Sequence, residues 1–220
     1  LVVRAIKSGY YTSVMFDGSS HPYKKNVRLT KKIVALAHKR GISVEAELGA
    51  IAGIEDFVSV KEKDAHLTSP EQAKNFVKQT GCDALAIAVG TSHGAFKFSG
   101  KSTLEFKRLA EIKKNVGVPL VLHGASGVPS NIKKLCTKYG CEIDKAKGVS
   151  DGNIKKAISL GVNKINIDSD LRIAFTAGTR QYMDQHPEVF DPRKYISNAK
   201  EVMTKVVVQK MRMLGSSNKG

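Results

Sequence analysis

Polar and titratable residues stand at the ends of five short, largely apolar runs in this 220-residue chain. The residues concerned are Asp17; Glu45 and Glu47; Thr91 to Gly94; His123 to Gly127; and Asn166 and Asp168. Imidazole and carboxylate groups are ligands that catalytic zinc and similar divalent ions take, and such sites keep one coordination position open. The residue types therefore indicate metal chemistry at the ends of these runs.

Two histidines are the main candidates for metal ligands. His93 and His123 lie about one β/α unit apart in the sequence, so neighbouring strands would direct both imidazoles to one point. Asp17 and Glu47 would add carboxylates. Taken singly, a strand-end histidine is more often a hydrogen-bonded structural residue and a strand-end aspartate a helix cap, but their joint placement favours a metal site.

Glycines beside these residues indicate an anionic ligand. Gly94, Gly124 and Gly127 flank the two histidines, and backbone amides in such loops approach a phosphate closely where a helix begins. Lys97 and Arg172 would stand near the same edge. Together with a metal, they predict a phosphorylated small molecule as substrate.

The elements that must position these residues are alternating strands and helices. β-branched runs alternate with segments that have helical spacing of apolar residues, which predicts β/α units around a parallel sheet. Ser69 and Pro70 are typical of a helix start, and we expect a helix over Glu71 to Gln79. A further amphipathic helix is predicted over Ala199 to Leu214. The predicted strands are Ser13 to Asp17, Ser43 to Gly49, Ala84 to Gly90, Pro119 to Gly124 and Lys164 to Asp168.

Composition limits the class of protein. The formal net charge is +16, which favours a polyanionic or phosphorylated partner. A nucleic-acid protein is the rival interpretation, but aromatic residues are 6%, tryptophan is absent, and the lysines and arginines are dispersed over many helix faces. No apolar run is long enough to span a bilayer, so no membrane partner is expected. Three unpaired cysteines favour a reducing, cytoplasmic location.

Seven segments, in order along the whole chain, resemble the class II, metal-dependent fructose-1,6-bisphosphate aldolases, in the subgroup that includes the tagatose-bisphosphate aldolases. They are SVMFDGSSHP, VEAELGAIAGIED, GTSHGAFKF, PLVLHGASGVP, KINIDSDLR, FDPRKY and LGSSNKG. The resemblance implies an α/β fold, a (β/α)8 TIM barrel, of which about the last five β/α units are present. Residues 1–220 would then form a single catalytic domain that is incomplete at its N-terminus.

The resemblance also assigns the site residues. It implies that His93 and His123 bind the catalytic Zn²⁺, that Asp17 and Glu47 serve the alternative or second metal position, and that Glu55 exchanges the C1 proton. Arg172 would meet the distal phosphate of the sugar across a dimer interface. The residues implied to hold dihydroxyacetone phosphate are Gly94, Lys97, Gly124, Ala125, Ser126, Asn166, Ile167, Asp168 and Ser169.

The implied function is reversible cleavage of fructose 1,6-bisphosphate to dihydroxyacetone phosphate and glyceraldehyde 3-phosphate in glycolysis and gluconeogenesis. Cleavage of tagatose 1,6-bisphosphate and a truncated, non-catalytic relative are the alternatives. The resemblance allows a second divalent metal and a monovalent cation, Na⁺ or K⁺, and implies a homodimer or homotetramer. The family has an Asp-His pair, its C4-hydroxyl acid/base and its third zinc ligand, just before the segment where this sequence begins. We therefore expect the 220 residues alone to fold poorly and to show no turnover.

Overall fold

The computed structural model of the chain describes residues 1–51, 53–55, 58–60, 66–91, 104–141, 143 and 148–219. For residues 53–55 and 58–60 it describes the backbone. The strands in the described part are β1 Ser13–Phe16, β2 Ser43–Leu48, β3 Gly53–Glu55, β4 Val58–Val60, β5 Ala84–Ile87, β6 Leu120–Leu122 and β7 Val162–Ile165. The helices there are α1 Val2–Ser8, α2 Tyr23–His38, α3 Pro70–Thr80, α4 Phe106–Asn115, α5 Ser130–Lys138, α6 Asp151–Ser159, α7 Ser169–Gln185 and α8 Pro192–Leu214.

The described residues group into two compact units. The first is drawn from residues 1–93, 103–123 and 156–166, and the second from residues 94–102, 124–155 and 167–220. The first unit holds the main sheet, and the second holds α5, α7 and α8.

A five-stranded parallel sheet in the order β1-β2-β5-β6-β7 organises the first unit. All four neighbouring pairs are parallel, and at least one helix separates each strand from the next along the chain. This confirms the predicted β/α units. Because the strands are parallel, their carboxyl ends lie at one edge, where active sites of such folds are built.

The core of the first unit lies on the sheet. Val44 and Ala46 of β2 are fully buried, as are Leu85 and Ile87 of β5 and Leu122 of β6. Burying a side chain of valine, leucine or isoleucine contributes about 1.5–3 kcal/mol. The apolar residues therefore fix the sheet that presents the polar ends of its strands.

Strand boundaries differ from the prediction at the last strand. β7 runs from Val162 to Ile165, whereas the prediction placed the strand over Lys164 to Asp168. Val162 pairs with Leu120, so the strand begins earlier than predicted and ends at Ile165. A short antiparallel pair, β3 with β4, was not predicted, since three-residue strands carry too little alternation to detect.

Helices α3 and α8 each begin directly after a residue whose side chain caps them. Pro70 is the first residue of α3, and the Ser69 hydroxyl accepts a hydrogen bond from the Gln72 amide, which confirms the predicted start. α8 begins at Pro192, upstream of the predicted Ala199. The Asp191 carboxylate caps it by accepting from the Arg193 amide at 3.0 Å.

The second unit has an apolar core between α5, α7 and α8. Ile132 and Cys136 of α5 pack with Ala174 and Ala177 of α7 and with Val206 of α8. The three helices contribute these residues at helical spacing, so their facing stripes close one core. The core fixes the positions of α7 and α8, and therefore of the polar residues that those helices carry.

Candidate active site

Strand β2 places two carboxylates on one face of the sheet. Glu45 and Glu47 are two residues apart and therefore point to the same side, while Val44, Ala46 and Leu48 point to the other. Glu45 is 4% and Glu47 2% exposed. Such burial of two carboxylates requires partners that offset the loss of hydration.

A side chain of the neighbouring helix α2 forms a hydrogen bond with the end of β2. The Asn26 side chain of α2 donates to the backbone oxygen of Glu47 at 2.9 Å, and the Thr30 hydroxyl donates to the Asn26 side chain at 3.0 Å. Both α2 residues are buried. This network fixes the backbone beside the Glu47 carboxylate.

His123 follows β6 directly and lies between the two carboxylates. Its Nε2 is 2.8 Å from Glu45 Oε1, and its Nδ1 is 3.1 Å from Glu47 Oε2. The imidazole is 4% exposed. One buried ring therefore contacts a carboxylate through each of its nitrogens.

Two residues from β7 and its extension complete this arrangement. Lys164 Nζ donates to Glu45 Oε2 at 2.6 Å, and Asn166 Nδ2 lies 2.9 Å from His123 Nε2. The backbone N–H of Asn166 donates to the Leu122 backbone oxygen at 3.1 Å, which continues the pairing of β7 with β6. We call Glu45, Glu47, His123, Lys164 and Asn166 the His123 centre.

Charges in the His123 centre shift the pKa values of its members. Burial lowers the pKa of His123, but hydrogen bonds and charges from Glu45 and Glu47 outweigh it and raise the pKa to about 9. Burial raises the pKa of Glu45, yet His123 and Lys164 bring it below its ordinary value. The metal-free centre thus holds an imidazolium between carboxylates at neutral pH.

The donor chemistry of this centre fits a divalent metal. A buried imidazole nitrogen and a carboxylate face each other, and imidazole nitrogen with carboxylate oxygen suits zinc. Within the described ranges, no set of three or more His, Cys, Asp or Glu side chains forms a complete metal site. That His123 and Glu47 are metal ligands stays a prediction, and the contact between them is compatible with it.

Asp17 lies at the carboxyl end of β1, the strand that pairs with β2. It follows β1, is exposed, and accepts a hydrogen bond from the Ser19 amide at 2.8 Å. In the described part of the chain no hydrogen bond or ion pair joins Asp17 to His123. Its role as a metal ligand stays a prediction.

The loop after His123 belongs to the second unit. Gly124 has φ +61°, a conformation that glycine adopts without strain, and Ala125 and Ser126 are buried. A Cβ on Gly127 would lie 2.5 Å from the Val149 backbone oxygen, so this position requires glycine. The tight backbone explains why the segment is rich in small residues.

A buried ion pair holds this loop through the Gly127 peptide. Asp170 Oδ2 accepts from the Gly127 amide at 3.2 Å, and Lys210 Nζ donates to the Gly127 oxygen at 2.9 Å. Lys210 Nζ also lies 2.9 Å from Asp170 Oδ2, with side chains 9% and 0% exposed. We call these two residues the Lys210–Asp170 pair.

The remaining predicted residues of the second unit lie where α7 begins. Ile167 is half-buried, and Ser169 is the first residue of α7. Asp168 and Arg172 are exposed and form an ion pair, with the guanidinium Nε 2.8 Å from Asp168 Oδ2. The guanidinium predicted to meet a phosphate thus lies against a carboxylate.

Several predicted residues lie wholly or partly outside the described residues. His93, Gly94 and Lys97 fall in 92–103, which the structure does not describe. Glu55 is the last residue of β3, and its side chain is not described. The roles assigned to these four residues stay predictions.

Four residues that organise these arrangements were not predicted from the sequence as site residues. Glu45 and Lys164 share strand faces with Glu47 and Asn166, so strict alternation along SVEAELG and KIN was a signal for them. Asp170 gave no such signal. Lys210 follows buried Ala199 and Val206 at helical spacing, which indicates a lysine on the inner face of α8.

None of the helices in the described part of the chain combines the length and the apolar composition needed to cross a membrane.

Comparison with known proteins identifies the family. The family model for class II fructose-bisphosphate aldolase matches residues 1–219. The fructose-bisphosphate aldolase of Thermus caldophilus is 51% identical over 215 residues, which are 98% of this chain and 70% of that protein. That of Helicobacter pylori strain 26695 is 48% identical over 216 residues, with the same coverage of 98% and 70%.

Solved structures agree on the fold. A putative fructose-1,6-bisphosphate aldolase from Coccidioides immitis superimposes with a TM-score of 0.77 at 30% identity, over 99% of this chain and 68% of that one. The YdjI aldolase of Escherichia coli K12 gives a TM-score of 0.74 at 30% identity and is covered to 66% of its length. This chain thus spans about two-thirds of these structures. The predicted partial barrel, the lyase class and the aldolase function are confirmed: the chain belongs to the class II fructose-bisphosphate aldolase family.

Proposed function

We propose that the protein, in its natural length, is a zinc-dependent aldolase that reversibly cleaves fructose 1,6-bisphosphate to dihydroxyacetone phosphate and glyceraldehyde 3-phosphate. The observation that supports this most is the buried His123 ring, held between Glu45 and Glu47 at the carboxyl edge of a parallel sheet. The family match supports the reaction class, and the names of the relatives support fructose 1,6-bisphosphate as the substrate.

His123 and Glu47 are the described residues that would hold the metal. The family pattern adds His93 as a zinc ligand and Asp17, with Glu47, for the alternative or second metal position. A bound divalent ion acts as a Lewis acid that polarises a carbonyl oxygen of the substrate. The chain's own part is to hold the ligands in fixed orientations and to keep water from the carboxylates, in keeping with the 3–5% exposure of these side chains.

Backbone amides would bind the phosphate of dihydroxyacetone phosphate. Gly124 to Ser126 form a tight loop, and Ile167 to Ser169 lead into the 17-residue helix α7. The unpaired amides and the dipole at the start of a helix favour an anion. Gly94 and Lys97 would add an amide and a cation, as the family pattern implies.

Two side chains are assigned to the reacting sugar and its far phosphate. Glu55 would take the proton from C1 of dihydroxyacetone phosphate and return it during cleavage. Arg172 would bind the distal phosphate after exchanging its contact with Asp168 for the ligand, because phosphate offers a guanidinium two parallel hydrogen bonds. No lysine Schiff base is needed for this chemistry.

The proposed setting follows from the reaction. Cleavage and synthesis of a hexose bisphosphate belong to glycolysis and gluconeogenesis, which take place in the cytoplasm. We propose a homodimer or homotetramer, since the resemblance to the family implies that Arg172 acts across a subunit interface. A second divalent metal and a monovalent cation near the phosphate complete the proposal.

A chelation assay on the protein in its natural length tests the function. Removal of metal should abolish cleavage of fructose 1,6-bisphosphate, and Zn²⁺ should restore it. Tagatose 1,6-bisphosphate assayed in parallel decides between the two sugars. Unchanged turnover after chelation, or inactivation by borohydride in the presence of substrate, would show a lysine Schiff-base enzyme and refute the proposal.

A further inference from the structure

The two ring nitrogens of His123 contact two different carboxylates. Nε2 contacts Glu45, and Nδ1 contacts Glu47. A histidine that binds a metal through one nitrogen usually donates its other N–H to a carboxylate or carbonyl, which fixes the ring. One of the two glutamates would therefore orient the ring, and the opposite ring nitrogen would bind the metal.

Glu45 has both oxygens engaged by side chains of this chain. Oε1 lies 2.8 Å from His123 Nε2, and Oε2 accepts from Lys164 Nζ at 2.6 Å. The ammonium and the ring approach different oxygens, so the carboxylate is held in one orientation. A carboxylate used in this way is suited to position a ring rather than to coordinate a cation itself.

Asn166 also lies close to the same ring nitrogen. Its Nδ2 is 2.9 Å from His123 Nε2, but one N–H cannot donate to a carboxylate while its nitrogen accepts from an amide. The charged acceptor forms the stronger hydrogen bond. The Nε2 proton is therefore directed at Glu45.

We infer that Glu45 is a positioning residue that holds the Nε2–H of His123, so that Nδ1 is the nitrogen presented to the metal, and that Lys164 fixes Glu45 for this role. The inference rests on the proposed metal-dependent function and deepens it. In this role neither Glu45 nor Lys164 touches the substrate. Glu45 acts on the metal through His123, and Lys164 acts through Glu45.

Zinc affinity of variants measures the positioning. In the protein of natural length, Glu45→Gln should weaken Zn²⁺ binding roughly 10–100-fold in competition with a chelator, as loss of such a partner does in other sites. Lys164→Met should weaken it less but measurably, since Lys164 acts one step further away. Lys31→Met, at an exposed lysine of α2, is the matched control and should leave the affinity unchanged.

A spectroscopic readout reports the ring nitrogen directly. In ¹⁵N-histidine-labelled wild-type protein loaded with ¹¹³Cd²⁺, the coupling between cadmium and nitrogen should appear at Nδ1 of His123. This measurement needs no variant, so it holds even if Glu45→Gln fails to fold. Coupling at Nε2, or wild-type zinc affinity in both Glu45→Gln and Lys164→Met, would overturn the inference.

These outcomes separate the inference from the proposed function. A protein that cleaves the sugar with zinc but keeps its zinc affinity without Glu45 retains the function and loses the inference. A protein that binds zinc through Nδ1 and requires Glu45, yet does not cleave the sugar, retains the inference as a metal site and loses the function.

Discussion

The His123 centre and the Lys210–Asp170 pair both bury opposite charges, but they bond to different groups. In the first, two buried carboxylates contact one titratable ring, and the partly exposed Lys164 ammonium contacts one of those carboxylates. In the second, one carboxylate and one ammonium close on the backbone of Gly127, with one hydrogen bond to its N–H and one to its oxygen. In our proposal the ring exchanges a proton for a metal ion, whereas the Lys210–Asp170 pair holds the loop at Gly127.

The difference assigns a chemical role to the His123 centre and a structural role to the Lys210–Asp170 pair. A buried ion pair contributes little net stability compared with an apolar replacement, and its importance appears when one partner is removed. The Lys210–Asp170 pair should therefore affect folding first. The His123 centre should affect metal binding first and should make stability depend on pH.

Removal of Lys210 should have the largest effect on stability. Lys210→Met leaves the fully buried Asp170 carboxylate without its cation, which should lower the free energy of unfolding by about 3–5 kcal/mol. Urea unfolding measures this. Lys205→Met, an exposed lysine on the same helix, is the control and should change stability by less than about 0.5 kcal/mol. Equal effects of the two variants would show that the Lys210–Asp170 pair does not stabilise the fold.

The metal-free His123 centre should make stability fall at high pH. The pKa of His123 is raised from 6.5 to about 9 in the folded protein, so its contribution is complete below about pH 6.5 and is lost as pH rises through 9. The shift corresponds to about 3 kcal/mol. Urea unfolding of chelated protein from pH 6 to 10 measures it, with His123→Gln as control. The same pH dependence in that variant would show that other groups cause it.

The exposed ion pair of Asp168 with Arg172 should have the smallest effect on stability. Arg172→Met should lower the free energy of unfolding by no more than about 1 kcal/mol, because surface ion pairs contribute little. The same variant should raise KM for fructose 1,6-bisphosphate. A large loss of stability without a change in KM would make Arg172 a structural residue.

The sequence predicted the sheet well because its physical signals are local. Alternation of apolar residues located four of the five parallel strands within a few residues, and their order along the chain placed Glu47 and His123 at carboxyl ends. The fifth strand was displaced because its pairing with Leu120 begins at Val162. That pairing is a tertiary property, which one strand's pattern does not contain.

The candidate site was predicted less completely than the fold. Glu47 and His123 do come together, but Glu45, which contacts the other ring nitrogen, was assigned no role. The described contact of Asp17 is with the Ser19 amide in its own turn, and its role as a metal ligand stays a prediction. A strand end indicates the correct edge of the sheet, but the direction of a side chain depends on the turn that follows it.

Lys210 shows a second limit of sequence reasoning. Charged residues on an amphipathic helix are normally exposed, so the residue type of Lys210 outweighed the helical spacing that relates it to Ala199 and Val206. It is buried because Asp170, 40 residues earlier, and the Gly127 peptide offer it acceptors. Only the packing of α7 against α8 brings these groups together.

Zinc content and turnover, measured on the same sample of wild-type and His123→Gln protein, test whether His123 holds the catalytic metal. Native mass spectrometry of the wild type should show bound zinc together with cleavage of fructose 1,6-bisphosphate. His123→Gln should fold, lose the zinc and lose at least about a hundredfold in turnover, since even partners of metal ligands cost 10–100-fold. A His123→Gln protein that keeps both its zinc and its turnover would contradict the assignment of His123 as the centre of the site.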